Sequence, residues 1–170
     1  SQDLACNASL PAAKVLADFT VTDACVGGVA LFSVVTNPVS GVPTNKCSAT
    51  AADRTVTRTY TFRDACNNET TCVETFVFAQ DVTGPVIIGS ITSTIVEGCN
   101  VSVAPAAVST VSALEGLPGN PSISDGCTAD EGLVVTHSDV VSGTCHIVIT
   151  RTYTIKDACL NMSMIVHTIN

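Results

Sequence analysis

Tryptophan is missing from this 170-residue chain, and aromatic residues contribute only 4% of it. Carbohydrate-binding surfaces often stack a sugar on aromatic rings, so this shortage weakens a sugar-binding hypothesis. Basic residues are scarce as well: Lys and Arg total 7, Asp and Glu total 15, and the net charge is −8. Because phosphate binding depends on clustered Lys and Arg, we expect no nucleic-acid partner.

Long apolar runs and catalytic motifs are also missing. No stretch reaches the roughly 18 apolar residues of a membrane span, and no signal peptide is recognisable, so we expect a mature chain without membrane insertion. No serine lies in a nucleophile elbow, and no glycine-rich phosphate loop occurs. Three histidines lack metal-ligand spacing: His137, His146 and His167. The sequence therefore predicts that the protein is not an enzyme.

The nine cysteines include no Cys-x-x-Cys pair, the spacing that zinc ribbons and redox sites use. Widely spaced cysteines are typical of oxidised, secreted proteins. We therefore expect an extracellular or cell-surface location.

An internal repeat is the most informative feature. The sequence RTYTFRDACNN at 58–68 returns 93 residues later as RTYTIKDACLN at 151–161, and CNAS at 6–9 returns at the same offset as CNVS at 99–102. Gly84-Pro85 interrupts the strand pattern between the copies. The repeat predicts two domains, 1–82 and 83–170.

Both ends of the repeat pattern look cut. The first copy has no counterpart of residues 81–93, and the second stops at Asn170 inside what should be its last strand. We interpret the chain as a segment or processed unit of a longer array. The alternative is that flexible ends were left out of the numbering.

Alternating residues predict the fold class. Ile147, Ile149, Tyr153 and Ile155 share one face of 147–156 with Arg151, and threonines occupy the other. Further strands are predicted near 29–36, 72–79, 86–96 and 132–136. Short strands in copies of about 90 residues predict an all-β chain of two tandem immunoglobulin-like β-sandwich domains. The alanine-rich stretch 104–114 is not expected to be helical, because it is rich in Val, Ser and Thr.

Four cysteines repeat in each copy, and sequence alone leaves three connectivities for each set. We favour a nested scheme because the outer pair keeps a constant separation of 60 residues. The predicted bridges are Cys25–Cys47, Cys6–Cys66, Cys127–Cys145 and Cys99–Cys159. Cys72 is left over: it is predicted to be a buried free thiol, an intermolecular link, or a substitute for Cys66 as partner of Cys6.

The order of these motifs carries a resemblance. A first cysteine, a TDxC motif, a lone cysteine, the RTYTFxDACxN block and an Asp-x-x-x-Pro linker occur at Cys6, 22–25, Cys47, 58–68 and 81–85. This pattern resembles the repeats of SprB-type bacterial surface adhesins and, more distantly, hyalin-type (HYR-like) repeats. The resemblance implies immunoglobulin-like domains strung along cell-surface adhesins or appendages. Asn67 and Leu160 stand where those repeats usually have glycine, so we expect a different turn there.

Four Asn-x-Ser/Thr sequons lie at equivalent positions of the two copies: Asn7, Asn68, Asn100 and Asn161. They predict N-linked glycans on a secreted protein. The alternative for Asn68 and Asn161 is that each stabilises the turn after the DAC motif.

Two arginines fall on the apolar face of their strands, and a buried guanidinium needs a partner. The predicted structural ion pairs are Arg58–Asp64 and Arg151–Asp157. Calcium is a weaker prediction for the acidic residues, because no contiguous loop supplies the oxygen ligands that it needs. The calcium candidates are Asp64, Asp157, Asp81, Asp125, Asp130 and Glu131, and turn capping is the alternative that we favour.

These patterns predict a structural glycoprotein: a component of an extracellular filament, appendage or adhesin stalk that associates with itself or with neighbouring repeats in a longer array. A terminal strand left incomplete could be exchanged between subunits. The competing hypothesis is a binding module that recognises carbohydrate or protein through loops 36–46 and 115–132.

Overall fold

The structure, a computed structural model, describes residues 1–24, 27–98, 100–144 and 146–170. It is nearly all β, as the sequence predicts. The strands are β1 Gln2–Leu4, β2 Val29–Asn37, β3 Thr55–Asp64, β4 Glu69–Phe78, β5 Val86–Ile88, β6 Ser122–Ser124, β7 Val134–Ser142, β8 Val148–Lys156 and β9 Met162–Ile169. A short helix, α1, spans Val111–Glu115, and single turns of 3-10 helix span Leu16–Asp18, Ala51–Arg54, Val101–Val103 and Asp130–Gly132.

The chain forms two compact units, Ser1–Asp81 and Val82–Asn170. The division falls within one residue of the boundary drawn from the sequence. In unit 1, four strands form one sheet in the order β1-β4-β3-β2. The long strands β2, β3 and β4 are antiparallel, whereas β1 runs parallel to β4, with Gln2 opposite Phe76 and Leu4 opposite Phe78.

Unit 2 repeats this arrangement and adds a second sheet. Strands β7, β8 and β9 form an antiparallel sheet, and Thr94 makes a parallel bridge to Ile169 at the edge where β1 lies in unit 1. Strands β5 and β6 pair antiparallel, with Ile87 opposite Ile123. Unit 2 therefore has a layer of β structure whose strands have no described counterpart in unit 1.

The alternation predicted for residues 147–156 is confirmed. Ile149, Arg151, Tyr153 and Ile155 are buried, and the intervening threonines are half-buried. The first copy shows the same pattern along β3. β-branched threonines favour extended backbone, and the alternating larger side chains supply the buried face of each sheet.

The two cores differ in size. In unit 2, nine buried side chains form one cluster: Ile91, Val111, Leu114, Ile123, Leu133, Val135, Tyr153, Ile155 and Ile165. The described cluster of unit 1 contains three, Val56, Phe76 and Phe78, with Leu4, Ala8 and Leu10 packed against it. Unit 2 therefore buries more apolar surface in a single core.

Three predictions of local structure need correction. The segment 104–114 ends in helix α1, because Thr110 caps the helix by accepting a hydrogen bond from Ala113 N, and Val111 and Leu114 anchor it in the core. The strand predicted over 86–96 ends at Ile88, and Gly89 follows with a φ of 92°. The predicted loop 115–132 contains β6. Among the described residues, no helix is long and apolar enough to cross a membrane.

Candidate functional site

Two disulfides occur in the described part of the chain, and they use Cys6, Cys47, Cys127 and Cys159. In unit 1, hydrogen bonds from Ala79 N to Leu4 O and from Asp81 N to Lys46 O bring the residues beside Cys6 and Cys47 to the same end of β4. In unit 2, Thr128 Oγ1 accepts a hydrogen bond from Ala158 N at 3.3 Å, which brings the residues beside Cys127 and Cys159 together. We therefore assign the bridges as Cys6–Cys47 and Cys127–Cys159.

The predicted bridge Cys6–Cys66 is wrong, since Cys66 is a free, exposed thiol. The reason is the length of the sheet. Cys66 lies in the turn before β4, whereas Cys6 follows β1, which pairs with the last residues of β4. A ten-residue strand separates the two ends by about 30 Å. The assigned bridges use Cys47, Cys127 and Cys159, so the predicted bridges Cys25–Cys47, Cys127–Cys145 and Cys99–Cys159 are wrong as well. Cys25, Cys99 and Cys145 themselves lie outside the described residues.

Cys72 is a free and exposed thiol, so the prediction that it is buried is wrong. It lies in β4 opposite Tyr60 of β3, and Ile165 occupies the matching place opposite Tyr153 in unit 2. The register thus confirms the sequence alignment that pairs Cys72 with Ile165.

Aspartates hold the turn that follows the long central strand in each unit. Asp64 Oδ1 accepts hydrogen bonds from Cys66 N and Asn68 N, each at 2.8 Å, and its Oδ2 accepts from Asn68 Nδ2 at 2.7 Å. Hydrogen bonding by the Asn68 side chain is the main reason that the pKa of Asp64 is lowered. Asp157 makes the same three contacts with Cys159 and Asn161 at 2.8–2.9 Å. Hydrogen bonds between residues of the DACxN motif therefore stabilise both turns.

The residue after each motif cysteine has left-handed backbone, although neither is glycine. The φ angle is 65° at Asn67 and 66° at Leu160. The two turns thus keep the conformation that glycine would favour.

Asp125, a further calcium candidate, also caps a turn. Asp125 Oδ1 accepts hydrogen bonds from Cys127 N at 2.8 Å and Thr128 N at 2.7 Å. Asp130 and Glu131 are exposed in a single turn of 3-10 helix. The carboxylates of Asp64, Asp125 and Asp157 are thus engaged by backbone N–H groups.

The predicted partners of the two arginines are wrong, but their burial is confirmed: Arg58 and Arg151 are each 5% exposed. Asp64 and Asp157 are occupied by their turns. In unit 1, Arg58 Nη1 lies 3.7 Å from Glu74 Oε2, directly across the strand pair. In unit 2, Arg151 makes a two-pronged ion pair with Asp139, both contacts at 2.9 Å. A residue opposite on the neighbouring strand therefore pairs with each arginine.

Each arginine also fastens an N-terminal loop to its sheet. Arg58 donates hydrogen bonds to Pro11 O at 2.8 Å and to Ala12 O at 3.1 Å. Arg151 donates to Pro105 O at 2.8 Å. These loop carbonyl groups thus accept hydrogen bonds from a buried guanidinium and not from a neighbouring strand.

Two residues further along each strand, a tyrosine also holds this loop. Tyr60 Oη accepts a hydrogen bond from Lys14 N at 3.1 Å, and Tyr153 Oη accepts from Val108 N at 3.4 Å. The Arg-Thr-Tyr sequence of the repeat is therefore a clamp that holds a loop against the buried face of the sheet.

The electrostatics around the two clamps differ. Burial opposes ionisation of Glu74, but hydrogen bonds from Lys14 and Tyr60 and the charges of Lys14 and Arg58 outweigh it, and the pKa of Glu74 is lowered. The hydrogen bond from Arg151 lowers the pKa of Asp139 in the same way. His167 stands opposite Arg151, where unit 1 has Glu74. Desolvation, and then the Arg151 charge, lower the pKa of His167.

The sequons differ in how their side chains are used. Asn68 and Asn161 donate from Nδ2, the atom that would carry a glycan, to the turn aspartates. Asn100 uses Oδ1 instead, accepting from Ser102 N at 2.9 Å. Asn7 and Asn100 are exposed. Turn stabilisation therefore explains the conserved placement of Asn68 and Asn161 within the repeat.

Neither a protein-family model nor a curated protein matches this chain.

Proposed function

We propose that the chain is a tandem of two immunoglobulin-like domains that serves as a structural component of an extracellular filament, appendage or adhesin stalk. The supporting observation is the repeated clamp: in both units a buried arginine and a tyrosine fix an N-terminal loop to the central strand pair. The repetition of these contacts favours two copies of one domain with a shared mechanical design. A resemblance to SprB-type and hyalin-type repeats supports the same proposal.

The disulfides support a load-bearing role outside the cell. Each unit has one bridge among the described residues. In unit 1 it joins the segment after β1 to the loop between β2 and β3, and in unit 2 it joins the loop after β6 to the turn after β8. A bridge of this kind contributes about 2–4 kcal/mol to the stability of a small domain. Oxidising surroundings are needed to maintain it.

Electron microscopy of the purified chain tests the proposal. We expect filaments or end-to-end oligomers that survive in oxidising buffer and are lost when Cys6 and Cys47 are both replaced by serine. Cys72→Ser is the matched control, because Cys72 is free and exposed, and it should not change the stability of the fold. Monomers under all conditions would contradict the structural role.

Glycans are proposed at the exposed sequons Asn7 and Asn100, where the asparagine Nδ2 makes no described hydrogen bond. Intact mass of the protein purified from its source, before and after enzymatic deglycosylation, tests this. Loss of mass that maps to peptides containing Asn7 and Asn100 is expected. Equal modification of Asn68 and Asn161 would show that donation to the turn aspartates does not restrict attachment.

A binding module is the second candidate, and one groove favours it. A cavity of about 430 Å³ lies beside the predicted recognition loop 36–46, lined by Thr36, Val39, Val42 and Pro43 together with Leu10 and Phe78. A glycan array and a pull-down of surface proteins test this function. Specific capture that Val39→Asp abolishes, by a protein that remains monomeric, would favour binding over assembly.

A further inference from the structure

The buried face of unit 1 is partly open at positions that are closed in unit 2. Cys72 is exposed, whereas Ile165 at the same place is 8% exposed. The TVTDAC motif places Val21 at the position of Ile123 in SISDGC; Val21 is half-buried, and Ile123 is 2% exposed. The same side of the fold is therefore covered in one unit and uncovered in the other.

Strand β5 provides the cover in unit 2. It pairs antiparallel with β6, which places Ile87 opposite Ile123, and Ile87 packs against the core cluster that contains Ile165. A short, uncharged strand of sequence Val-Ile-Ile thus closes this side of the fold.

The counterpart of β6 in unit 1 is unpaired within the described part of the chain. Residues 20–22 form no strand, and no hydrogen bond joins their backbone to another described residue. Beside them lies a groove of about 410 Å³, lined by Leu16, Phe19, Val21, Thr22, Asp23, Gly28 and Val29. Backbone donors and acceptors that have no partner among the described residues, next to a groove with apolar side chains, are what an added strand requires.

We propose that this groove binds an extended, uncharged strand with the pattern of residues 85–91, donated by a second protein molecule. The strand would run antiparallel to residues 20–22, as β5 runs to β6, and its apolar side chains would occupy the groove. An acidic residue in the partner strand is disfavoured, because four of the lining side chains are apolar and Asp23 carries a negative charge. The inference stands apart from the proposed function, because the groove would bind such a strand whether or not the chain assembles into filaments.

A donor from outside the chain is favoured by how its own strands are used. In the described ranges, β1 to β4 are all paired within their sheet, and β5 is paired with β6. The exposed thiol of Cys72 lies on the same side of the sheet as Tyr60. It occupies the position of Ile165, which in unit 2 belongs to the core cluster that Ile87 packs against. A cysteine in the donor strand could therefore be oxidised with Cys72 by an added disulfide such as oxidised glutathione, which takes up the two electrons and protons.

The test uses the full 170-residue chain and a labelled peptide with the sequence of residues 83–93, TGPVIIGSITS. Fluorescence anisotropy should show saturable binding. A peptide carrying Asp at the position of Ile87 should bind at least about tenfold more weakly, because its carboxylate would be desolvated in the groove. The chain variant Val21→Asp should show a similar loss, whereas Val140→Asp, at a residue 67% exposed in unit 2, should bind like the parent.

A cross-linking experiment covers the case in which Val21→Asp fails to fold. A peptide with Cys in place of Ile87, incubated with the chain and oxidised glutathione, should form a mixed disulfide with Cys72, and Cys72→Ser should remove the product. Absence of binding by the parent peptide would overturn the proposal. So would binding that Val21→Asp leaves unchanged, or cross-linking at Cys66 in preference to Cys72.

Discussion

Leu160 carries a branched side chain on left-handed backbone, with a φ of 66°, and the side chain is 72% exposed. An L-residue in this conformation brings Cβ close to its own carbonyl oxygen, which costs about 1–2 kcal/mol. The equivalent Asn67 has a φ of 65°, but asparagine adopts this region more readily. The two copies of the turn therefore differ in strain at one position.

We predict that Leu160→Gly raises the free energy of unfolding by about 0.5–1 kcal/mol, because relief of strain exceeds the added chain entropy of glycine. The side chain is exposed, so little packing is lost. Asn67→Gly is the matched control and should change stability less. Chemical denaturation of both variants measures the difference, and a destabilised Leu160→Gly would contradict the strain argument.

Arg151 of unit 2 is engaged on two sides, by Asp139 and by Pro105 O. We predict that Arg151→Ala destabilises the protein by about 3–5 kcal/mol, since it leaves a carboxylate and a carbonyl without their donor. Arg63 provides the control, because it forms an ion pair with Glu69 on the surface. Arg63→Ala should cost about 0–1 kcal/mol. Urea denaturation measures both values, and similar losses would contradict the clamp.

At the scale of elements, the β-hairpin of each repeat explains which neighbours of the two buried arginines could be predicted from the sequence. The sequence alternation and the DACxN turn are local signals, and they predict the strands and the buried face correctly. Glu74 and His167 were missed as neighbours of the arginines. Both positions follow from symmetry about the turn, since Arg58 and Glu74 are equally distant from Cys66, as are Arg151 and His167 from Cys159. Asp139 could not be found in this way, because a loop of variable length separates β7 from β8.

The edge of the unit 2 sheet contains a pH-sensitive contact. His167 in β9 is 3% exposed, and its Nε2 lies 2.8 Å from Thr94 Oγ1 on the neighbouring edge segment. Arg151 of β8 faces it, and Asp139 of β7 lies beyond, paired to Arg151. The folded state therefore favours the neutral imidazole, and its pKa lies below the usual value of 6.5.

The lowered pKa of His167 fixes the sign of the effect of pH on stability. The unfolded chain binds a proton at a higher pH than the folded chain, so stability is complete above about pH 6.5 and falls as pH drops below that value. We predict a melting temperature that decreases between pH 7 and pH 5, with a smaller decrease in His167→Gln. His137→Gln, at an exposed position in β7, should keep the parent slope. A parent slope that His167→Gln leaves unaltered would assign the effect to another group.

At the scale of the whole molecule, the repeat in the sequence was sufficient to indicate two similar all-β units. The disulfide pairing was not, because a constant separation of 60 residues between Cys6 and Cys66 reflects the length of the repeat and carries no information on distance in space. Two cysteines that lie near opposite ends of β4 keep a constant separation in sequence just as two bonded cysteines would. The disulfide partner of Cys6 follows from the position of β1, which runs parallel to the end of β4.

That parallel edge strand determines how unit 1 would respond to tension. Its first strand, β1, runs alongside its last, β4, and both point the same way. Pulling Ser1 and Asp81 apart along the strands therefore loads the hydrogen bonds between β1 and β4 sideways and all at once, a shearing geometry that resists extension far better than peeling bonds one by one. The Cys6–Cys47 bridge lies just beyond β1, so once β1 had detached the force would pass through this covalent bond to Cys47. Residues 7–46, which the bridge encloses, would not be extended.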